Sequence, residues 1–390
     1  MLRMGLTVLV VLQCIGFCCA QAAGETADLH VPGPASQPDQ PASQSSATDS
    51  NPDPQYVEAL RASCSDLEKS VRRPTSKDCL APFATFDSAQ GEGEPSSSMS
   101  KRAAAIAELE SLPLPSHTVE GYGGGAITPV AYLVNRGKAG TIFGRPAVSV
   151  ANIIAGQKNV QAFTVTETLL RRLELGYGLD RVDLGTLPGD IEDVTGIDIE
   201  SQHLCMHNFN GRLLLLDETA FATPYWPSLT GGAHFKFNDS IDDIDDRLHG
   251  GLSALGYDKP YGTDFTLTMS KTLIHPITFN RPLFLTVGMR NSSAAQLGVL
   301  GFAQGRHTTV ESGVGYLLTK HILVNYEFRQ KNSPYAEFPG LIGPEDNWHA
   351  VGVSIMLNDH LMVNAGWAAL GTLANTVENG AWYLQMKYDF

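Results

Sequence analysis

The last residues of the chain, Ala381 to Phe390, read AWYLQMKYDF and decide the fold class. Every second side chain in this stretch is apolar: Trp382, Leu384, Met386, Tyr388 and Phe390. The positions between them are mostly polar: Tyr383, Gln385, Lys387 and Asp389. A period of two sustained over this length predicts a β-strand with one apolar and one polar face.

The same alternation recurs from about Ser116 to the C-terminus, for example in Ile322 to Arg329 and in Leu361 to Trp367. We therefore predict an all-β region. Its strands are expected near 116–122, 126–134, 145–154, 160–167, 171–180, 195–206, 229–237, 263–273, 282–290, 309–318, 321–330, 347–356, 360–369 and 381–390. The least certain assignments are the first strand and the stretch from His207 to Ser228.

Two architectures contain such strands, a soluble β-sandwich and a transmembrane β-barrel. The apolar face is the core of a sandwich, whereas in a barrel it meets lipid and the polar face lines the lumen. Strands of about ten residues fit a tilted membrane span. The tight connections Thr319-Lys320 and Asn358-Asp359 alternate with the long ones, 331–346 and 291–308. We predict an antiparallel transmembrane β-barrel of about 14 strands, with about 12 strands as the fallback.

The topology follows if Phe390 ends on the periplasmic side of an outer membrane. An even strand number then places the tight turns and the N-terminal region in the periplasm and the long loops outside. Aromatic residues prefer the membrane interfaces. The residues expected there are Trp348, Trp367 and Trp382 at the outer interface, Trp226 and Tyr388 at the inner one, and the terminal Phe390. Large aromatics at strand ends also occur in soluble sheets.

The N-terminus has the pattern of a signal peptide, with a basic start, an apolar stretch from Leu6 to Cys19, and Ala20-Gln21-Ala22 as the cleavage site. A membrane anchor or a lipoprotein are the alternatives. We assign residues 1–22 to the signal peptide, 23–54 to a disordered linker, 55–113 to a partly helical periplasmic extension, and 114–390 to the barrel. Export permits a disulfide between Cys64 and Cys79, and two free thiols are the alternative.

Composition restricts the function classes. Hydrophobic residues make up 43% of the chain, which excludes a wholly disordered protein. The net charge of −14 gives no general route to a phosphate backbone, so nucleic acid is not expected as a partner. The expected partners are membrane lipid, the barrel assembly machinery, which would contact the C-terminal strand, and small solutes.

Charged residues of both signs fall on the predicted lumen face. These lumen-lining candidates are Arg172, Glu174, His234, Lys236, Asp264, Arg290, Glu311, Glu327, Arg329, Lys387 and Asp389. In one interpretation they line a hydrated pore and set its selectivity. In the other they pair with one another and fill the interior.

No catalytic or cofactor site is predicted. The motifs H-E-x-x-H, G-x-S-x-G and C-x-x-C are absent from the sequence, and no cofactor is expected. A barrel hydrolase stays open as an alternative, because His and Ser residues occur at strand ends. Asp242, Asp243 and Asp245 form a weak candidate for Ca²⁺, but they lack the spacing of an EF-hand, and a solvated acidic loop is the preferred interpretation.

Five stretches carry a resemblance to a known family. They are EGYGGGAITP (120–129), ELGYGLDRVDLG (174–185), GTDF (262–265), QLGVLG (296–301) and NGAWYLQMKYDF (379–390). In this order they resemble the bacterial outer-membrane proteins catalogued as domain-of-unknown-function 3034. The resemblance covers roughly residues 115–390 and implies an outer-membrane location, but it brings no assigned activity and no site residues. Residues 23–113 depart from the family pattern.

The leading functional hypothesis is a passive, porin-like channel for small solutes. One alternative is a structural or interaction barrel with a filled lumen, whose N-terminal extension binds cell wall or a periplasmic partner. Another is a transporter of hydrophobic molecules, in which the N-terminal region closes the barrel. An open lumen would favour the channel. Ion pairs across the lumen would favour the filled barrel, and an apolar internal pocket would favour the transporter.

Overall fold

A computed structural model describes residues 109, 111–221, 225–274 and 278–390. The signal peptide, the linker, the Cys64–Cys79 disulfide and most of the extension were predicted for residues outside this part of the chain. Two short strands, β1 (Ser116–His117) and β2 (Gly123–Gly124), pair with each other and precede the main sheet.

Twelve antiparallel strands form a closed barrel. They are β3 (Ala147–Ala155), β4 (Lys158–Leu169), β5 (Leu173–Asp183), β6 (His203–Leu216), β7 (Ser228–Asn238), β8 (Tyr261–Leu273), β9 (Leu283–Ala294), β10 (Phe302–Thr319), β11 (Ile322–Arg329), β12 (Trp348–Met356), β13 (Leu361–Ala369) and, after a short hairpin of β14 (Gly371–Leu373) and β15 (Thr376–Glu378), β16 (Ala381–Asp389). The last strand closes the barrel by pairing with both β13 and β3.

The predicted alternation is present in β16. Trp382 is 64% exposed on the outer surface, whereas its neighbour Tyr383 is 7% exposed and faces inward. Lys387 and Asp389 are also buried inside. The outer surface is therefore apolar and the inner surface polar, which is the reverse of a soluble barrel with an apolar core.

The barrel fold is confirmed, and the fallback strand number is the correct one. The two strands predicted at 116–122 and 126–134 do not belong to the barrel wall, which begins at Ala147. The sixth strand was predicted at 195–206, but it lies at His203–Leu216. A helix, α1 (Leu187–Thr195), precedes it and ends at Gly196, whose left-handed φ of 72° turns the chain.

The two ends of the barrel differ. At the turn end, where β16 finishes, strands are joined by tight connections such as 170–172, 320–321 and 357–360. At the loop end the connections contain α1, the β14–β15 hairpin, and two further helices, α2 (Ile241–Arg247) and α3 (Gly251–Leu255). The predicted long loop 291–308 is wrong, because β9 and β10 extend through most of it and leave the turn 295–301.

The loops at the loop end pack on one another. Their shared apolar core includes Leu187 and Ile191 of α1, Ile241 and Ile244 of α2, and Leu252 of α3. Burying each such side chain contributes about 1.5–3 kcal/mol. The loop end is therefore covered by an ordered layer. Among the described residues, no helix has the length and apolar character needed to cross a membrane.

Candidate functional site

The interior of the barrel is occupied by residues 112–135, which we call the plug. Leu112 and Leu114 pack against Leu317, Met356 and Met362, which lie near the turn end of their strands. The tip of the plug, residues 119–127, packs near the loop end, in a cluster that includes Trp348 and Ala381. The plug therefore enters at the turn end and reaches most of the way through the lumen before it returns.

A glycine contact places the plug directly on the wall. Gly121 has a φ of +86°, and a Cβ atom there would lie 2.8 Å from the backbone nitrogen of Gly178 in β5. A Cβ atom on Gly176 would lie 2.2 Å from the carbonyl oxygen of Gly121. Since such approaches exclude any side chain, the two glycine-rich stretches, 120–129 and 174–185, meet backbone to backbone.

Glu120 at the plug tip is the centre of an ion-pair network. Its fully buried carboxylate contacts the ammonium group of Lys236, and it lies 2.8 Å from Arg329 and 3.4 Å from Arg290. The hydroxyl of Tyr122 donates to the same carboxylate at 2.6 Å and accepts from Arg290 at 2.6 Å. One plug residue therefore joins cations from three wall strands.

Two wall carboxylates complete this network. Asp264 lies 2.9 Å from Lys236 and 3.0 Å from Arg290, and Glu311 lies 2.7 Å from Arg290 and 3.2 Å from Arg329. With Glu120, three carboxylates balance three cations. Because such pairs are desolvated, removing one partner leaves an uncompensated charge and costs about 3–5 kcal/mol.

Glu327 of β11 holds the plug by hydrogen bonds. Its carboxylate accepts from the backbone nitrogens of Ala126, Ile127 and Thr128 at 2.8–2.9 Å, and from the Thr128 hydroxyl at 2.9 Å. A Cβ atom on Gly125 would lie 2.2 Å from this carboxylate. Successive backbone N–H groups that converge on one anion form a strong, charge-assisted contact.

A third contact lies on the opposite wall. Glu174 accepts from the backbone nitrogens of Gly123 at 3.0 Å and Val134 at 2.8 Å, and pairs with Arg212 at 3.0 Å. Arg212 also donates to the Gly123 carbonyl at 2.8 Å. The plug is thus anchored through carboxylates on two sides of the barrel.

Most of the predicted lumen residues lie inside the barrel. The buried members are Glu174, His234, Lys236, Asp264, Arg290, Glu311, Glu327, Arg329, Lys387 and Asp389. The prediction for Arg172 is wrong, because this residue lies exposed in the turn between β4 and β5. Sequence reasoning missed Glu120, Tyr122 and Arg212. The first two fell in a presumed wall strand, and Arg212 fell where the strand limits were least certain.

The aromatic residues separate into two groups. Trp367, Trp382, Tyr388 and Phe390 belong to the outward faces, and Trp382 pairs with Trp367 near the loop end. The prediction for Trp348 is wrong, since it is only 6% exposed and faces the interior. Its ring lies 5.9 Å from the Arg329 guanidinium, a favourable cation–π contact.

The acidic segment at the loop end has structural contacts. Asp245 accepts from the backbone nitrogens of Leu252 at 2.7 Å and Ser253 at 3.0 Å, at the start of α3. Asp242 accepts from the hydroxyl of Tyr257. Among the described residues, no three metal-ligating side chains are grouped around a common point. These carboxylates hold the loops together.

A cavity of about 800 Å³ remains between the plug and the turn end. Its wall includes Phe284 and Thr286 of β9, Gly313 and Gly315 of β10, and Leu323 of β11. Its volume lies in the range of about 300–1,000 Å³ that is typical of small-molecule sites. Plug residues form its inner boundary, so it does not continue through the barrel as an open pore.

The plug and the barrel wall together correspond to one known family. A family model described as "Protein of unknown function (DUF3034)" matches residues 116–387. The chain belongs to this family. The resemblance expected from the five motifs is thereby confirmed, and the DUF3034 match includes the plug from residue 116 and all twelve wall strands except the last two residues of β16. No curated protein matches the chain.

Several solved outer-membrane structures resemble the barrel. The KdgM porin is 7% identical, with a TM-score of 0.38, over 63% of this chain and 99% of the porin. The NanC porin is 8% identical, with a TM-score of 0.36, over 63% and 98%. Omp33, an outer membrane protein of Acinetobacter baumannii, is 8% identical, with a TM-score of 0.33, over 64% and 99%.

Proposed function

We propose that this member of the family is an outer-membrane, porin-like channel for small solutes that is closed at rest by its own plug. The observation that carries the proposal is that the wall closes without the plug, which is held through side-chain contacts such as those of Glu120 and Glu327. The role is transport rather than catalysis. The passage opens when these contacts separate.

The outer surface supports a location in the membrane. Large apolar side chains such as Val150, Leu213, Phe265 and Leu384 are exposed on strands all around the barrel. A soluble monomer rarely exposes apolar patches larger than a few hundred Å². Eleven of the twelve wall strands have 9 or more residues, which is long enough to cross the hydrocarbon core when tilted, and β11 has 8. The turn end then faces the periplasm, as expected from the position of Phe390.

The wall does not depend on the plug for its backbone hydrogen bonds. Each wall strand pairs on both sides with other wall strands. The plug is attached mainly by side chains such as Glu174, Arg212 and Glu327, and by the close contact at Gly121. Movement of the plug therefore leaves the barrel intact, which is the property that a gate requires.

A reversible disulfide between the plug and the wall tests whether the channel opens by movement of the plug. A Cβ atom on Gly313 would lie 3.6 Å from the Thr128 hydroxyl oxygen, the atom that a cysteine sulfur would replace, so cysteines at these two positions would face each other at short range. The variant Gly313→Cys/Thr128→Cys is made in residues 23–390 with Cys64, Cys79 and Cys205 replaced by Ser, and the same chain without the two new cysteines is the control. Single-channel conductance is recorded in planar bilayers before and after reduction.

We expect single-channel openings from the parent and from the reduced variant, and no openings from the oxidised variant. Openings of equal frequency in the oxidised variant would refute the gate, because the plug tip would then be tethered while solute passed. Silence of the folded parent and of the reduced variant at every voltage would refute the channel.

The second candidate is a structural or interaction barrel that never opens. The balanced network around Glu120 and the apolar layer over the loop end both favour a filled interior. Persistent silence of all folded forms in the same recordings would support this function.

A further inference from the structure

The cavity at the turn end is separate from the gate contacts of Glu120. Its wall is built from strands β7 to β13, and its inner boundary includes Gly124 and Val130 of the plug. The loop that follows the plug contributes Lys138, Phe143 and Arg145 at the mouth. A space of about 800 Å³ is therefore enclosed on most sides and opens where the tight turns lie.

Two inward-facing glycines of β10 create part of this space. A Cβ atom on Gly315 would lie 3.4 Å from Leu323 and 3.5 Å from Phe284, and one on Gly313 would lie 3.5 Å from the nearest neighbour. These are ordinary van der Waals distances, in contrast to the 2.8 Å approach at Gly121. Packing does not require glycine at either position, so the empty volume is a property that larger residues would remove.

One side of the cavity is apolar. Phe284 and Leu323 flank Gly315 near the turn end, and Leu114 of the plug packs in the same apolar cluster. Deeper in the cavity the lining is polar, and Glu327 there is occupied by its hydrogen bonds to the plug. An alkyl chain packed against Phe284 and Leu323 would cover apolar surface that otherwise meets water.

The mouth carries cations. Within the described part of the chain, Lys138 and Arg145 have no carboxylate partner, although both line the cavity. Two acidic residues of the lining form ion pairs with other cations: Asp217 pairs with Arg136, and Glu218 lies 3.1 Å from Lys271. Asp359 is the remaining acidic residue of the lining. A ligand that combines an alkyl chain with one negative charge fits this distribution.

We propose that the turn-end cavity binds a single-chain anionic amphiphile, with its chain against Phe284 and Leu323 and its charged group at Lys138 and Arg145. The proposal does not rest on the channel function, because it concerns the closed state, in which Gly124 and Val130 of the plug form part of the site. It adds an amphiphile-binding activity to a barrel of otherwise polar interior.

The test uses decanoate as the probe and the uncharged decanol as its matched comparison. Binding to the full chain held in an amphipathic polymer is measured by isothermal titration calorimetry. The variant Gly315→Leu fills the cavity, and Lys138→Gln/Arg145→Gln removes the charges at the mouth. Gly211→Leu, at an outward position of β6, controls for an added side chain. Heat-modifiable gel mobility verifies that each variant is folded.

We expect saturable binding of one decanoate per chain, with at least tenfold weaker binding in Gly315→Leu and unchanged binding in Gly211→Leu. The charge variant should weaken decanoate about tenfold and decanol less than twofold, because only decanoate contacts the cations. Non-saturable uptake, or full binding by folded Gly315→Leu, would overturn the site. Equal losses for decanoate and decanol in the charge variant would overturn the assigned position of the charge.

Discussion

Replacing Glu120, the single carboxylate among residues 112–135, with glutamine should destabilise the folded protein. The carboxylate is fully buried and contacts Lys236, Arg290 and Arg329, so its removal leaves the network with three cations and two carboxylates. A buried charge that loses its partner costs about 3–5 kcal/mol. Glutamine keeps part of the hydrogen bonding, so we expect a loss of about 3 kcal/mol, the lower end of that range.

The assay is urea unfolding of the lipid-embedded protein, followed by heat-modifiable gel mobility. The double variant Glu120→Gln/Lys236→Met restores the charge balance and should recover at least half of the lost free energy. Glu192→Gln, an exposed acid on α1, is the control and should change stability by less than about 0.5 kcal/mol. The same Glu120→Gln variant should also open more often in planar bilayers.

The reasoning fails in either of two cases. A loss below about 1 kcal/mol in Glu120→Gln would mean that water or relaxation compensates the cations, so that the network does not hold the plug. A double variant as unstable as the single one would mean that the lost contacts matter rather than the unbalanced charge. The first result would remove the physical basis of the gate, and the second would assign the hold on the plug to the hydrogen bonds of Glu120 rather than to charge balance.

Three further predictions concern other parts of the molecule. Gly121→Ala should destabilise the protein by about 2 kcal/mol in urea unfolding, because its Cβ atom would meet the backbone of β5. Gly231→Ala, whose nearest contact would be an ordinary 3.6 Å, should be near neutral, and equal losses would contradict the close approach. If the assembly machinery binds the C-terminal strand, Phe390→Ser should lower the amount of assembled barrel in cells several-fold, while refolding in vitro stays normal. Unchanged assembly in cells would exclude this role of Phe390. Burial alone would raise the pKa of Asp217, but Arg136 and hydrogen bonds from the nearby loop lower it below its ordinary value. Its ionised form therefore stabilises the fold above the ordinary carboxylate pKa, and this contribution is lost as the pH falls below about 4; Asp217→Asn should flatten the stability profile in that range, and an unchanged slope would refute the assignment.

The barrel could be predicted because a strand between lipid and a polar interior must alternate with period two. This pattern assigned the outward face of β16 from Trp382 to Phe390 correctly. Trp348 shows the limit of the same reasoning. Its face depends on the register of β12, and a shift by one residue moves a side chain from one surface to the other.

The strand number could not be settled from the pattern. Residues 116–134 alternate only in part, since 130–134 is a run of five apolar residues, and this segment was assigned to the wall although it forms the plug. The topological check did not reveal the error, since removing two strands from fourteen leaves an even number. Both counts place the termini at the same end of the barrel.

The pairing of the lumen charges could not be predicted from the sequence pattern either. Lys236, Arg290 and Arg329 were assigned to the interior, but the residue that joins them is Glu120, which lies more than 100 positions earlier in the chain. No local pattern links residues at such separations. Only the folded plug brings them together.

The motifs that carry the family resemblance now have a common explanation. The stretch 120–129 contains most of the plug tip, and 174–185 contains the glycines on which it lies. The stretch 262–265 supplies Asp264 to the network, and 296–301 accepts from Lys236 through the carbonyl of Leu297 at 3.1 Å. An open pore would need only the period-two alternation and scattered charges. Three of these motifs meet the plug tip or the ion-pair network around Glu120, which indicates that this sequence specifies the closed state. Under the proposed function, solute passes only when the plug moves.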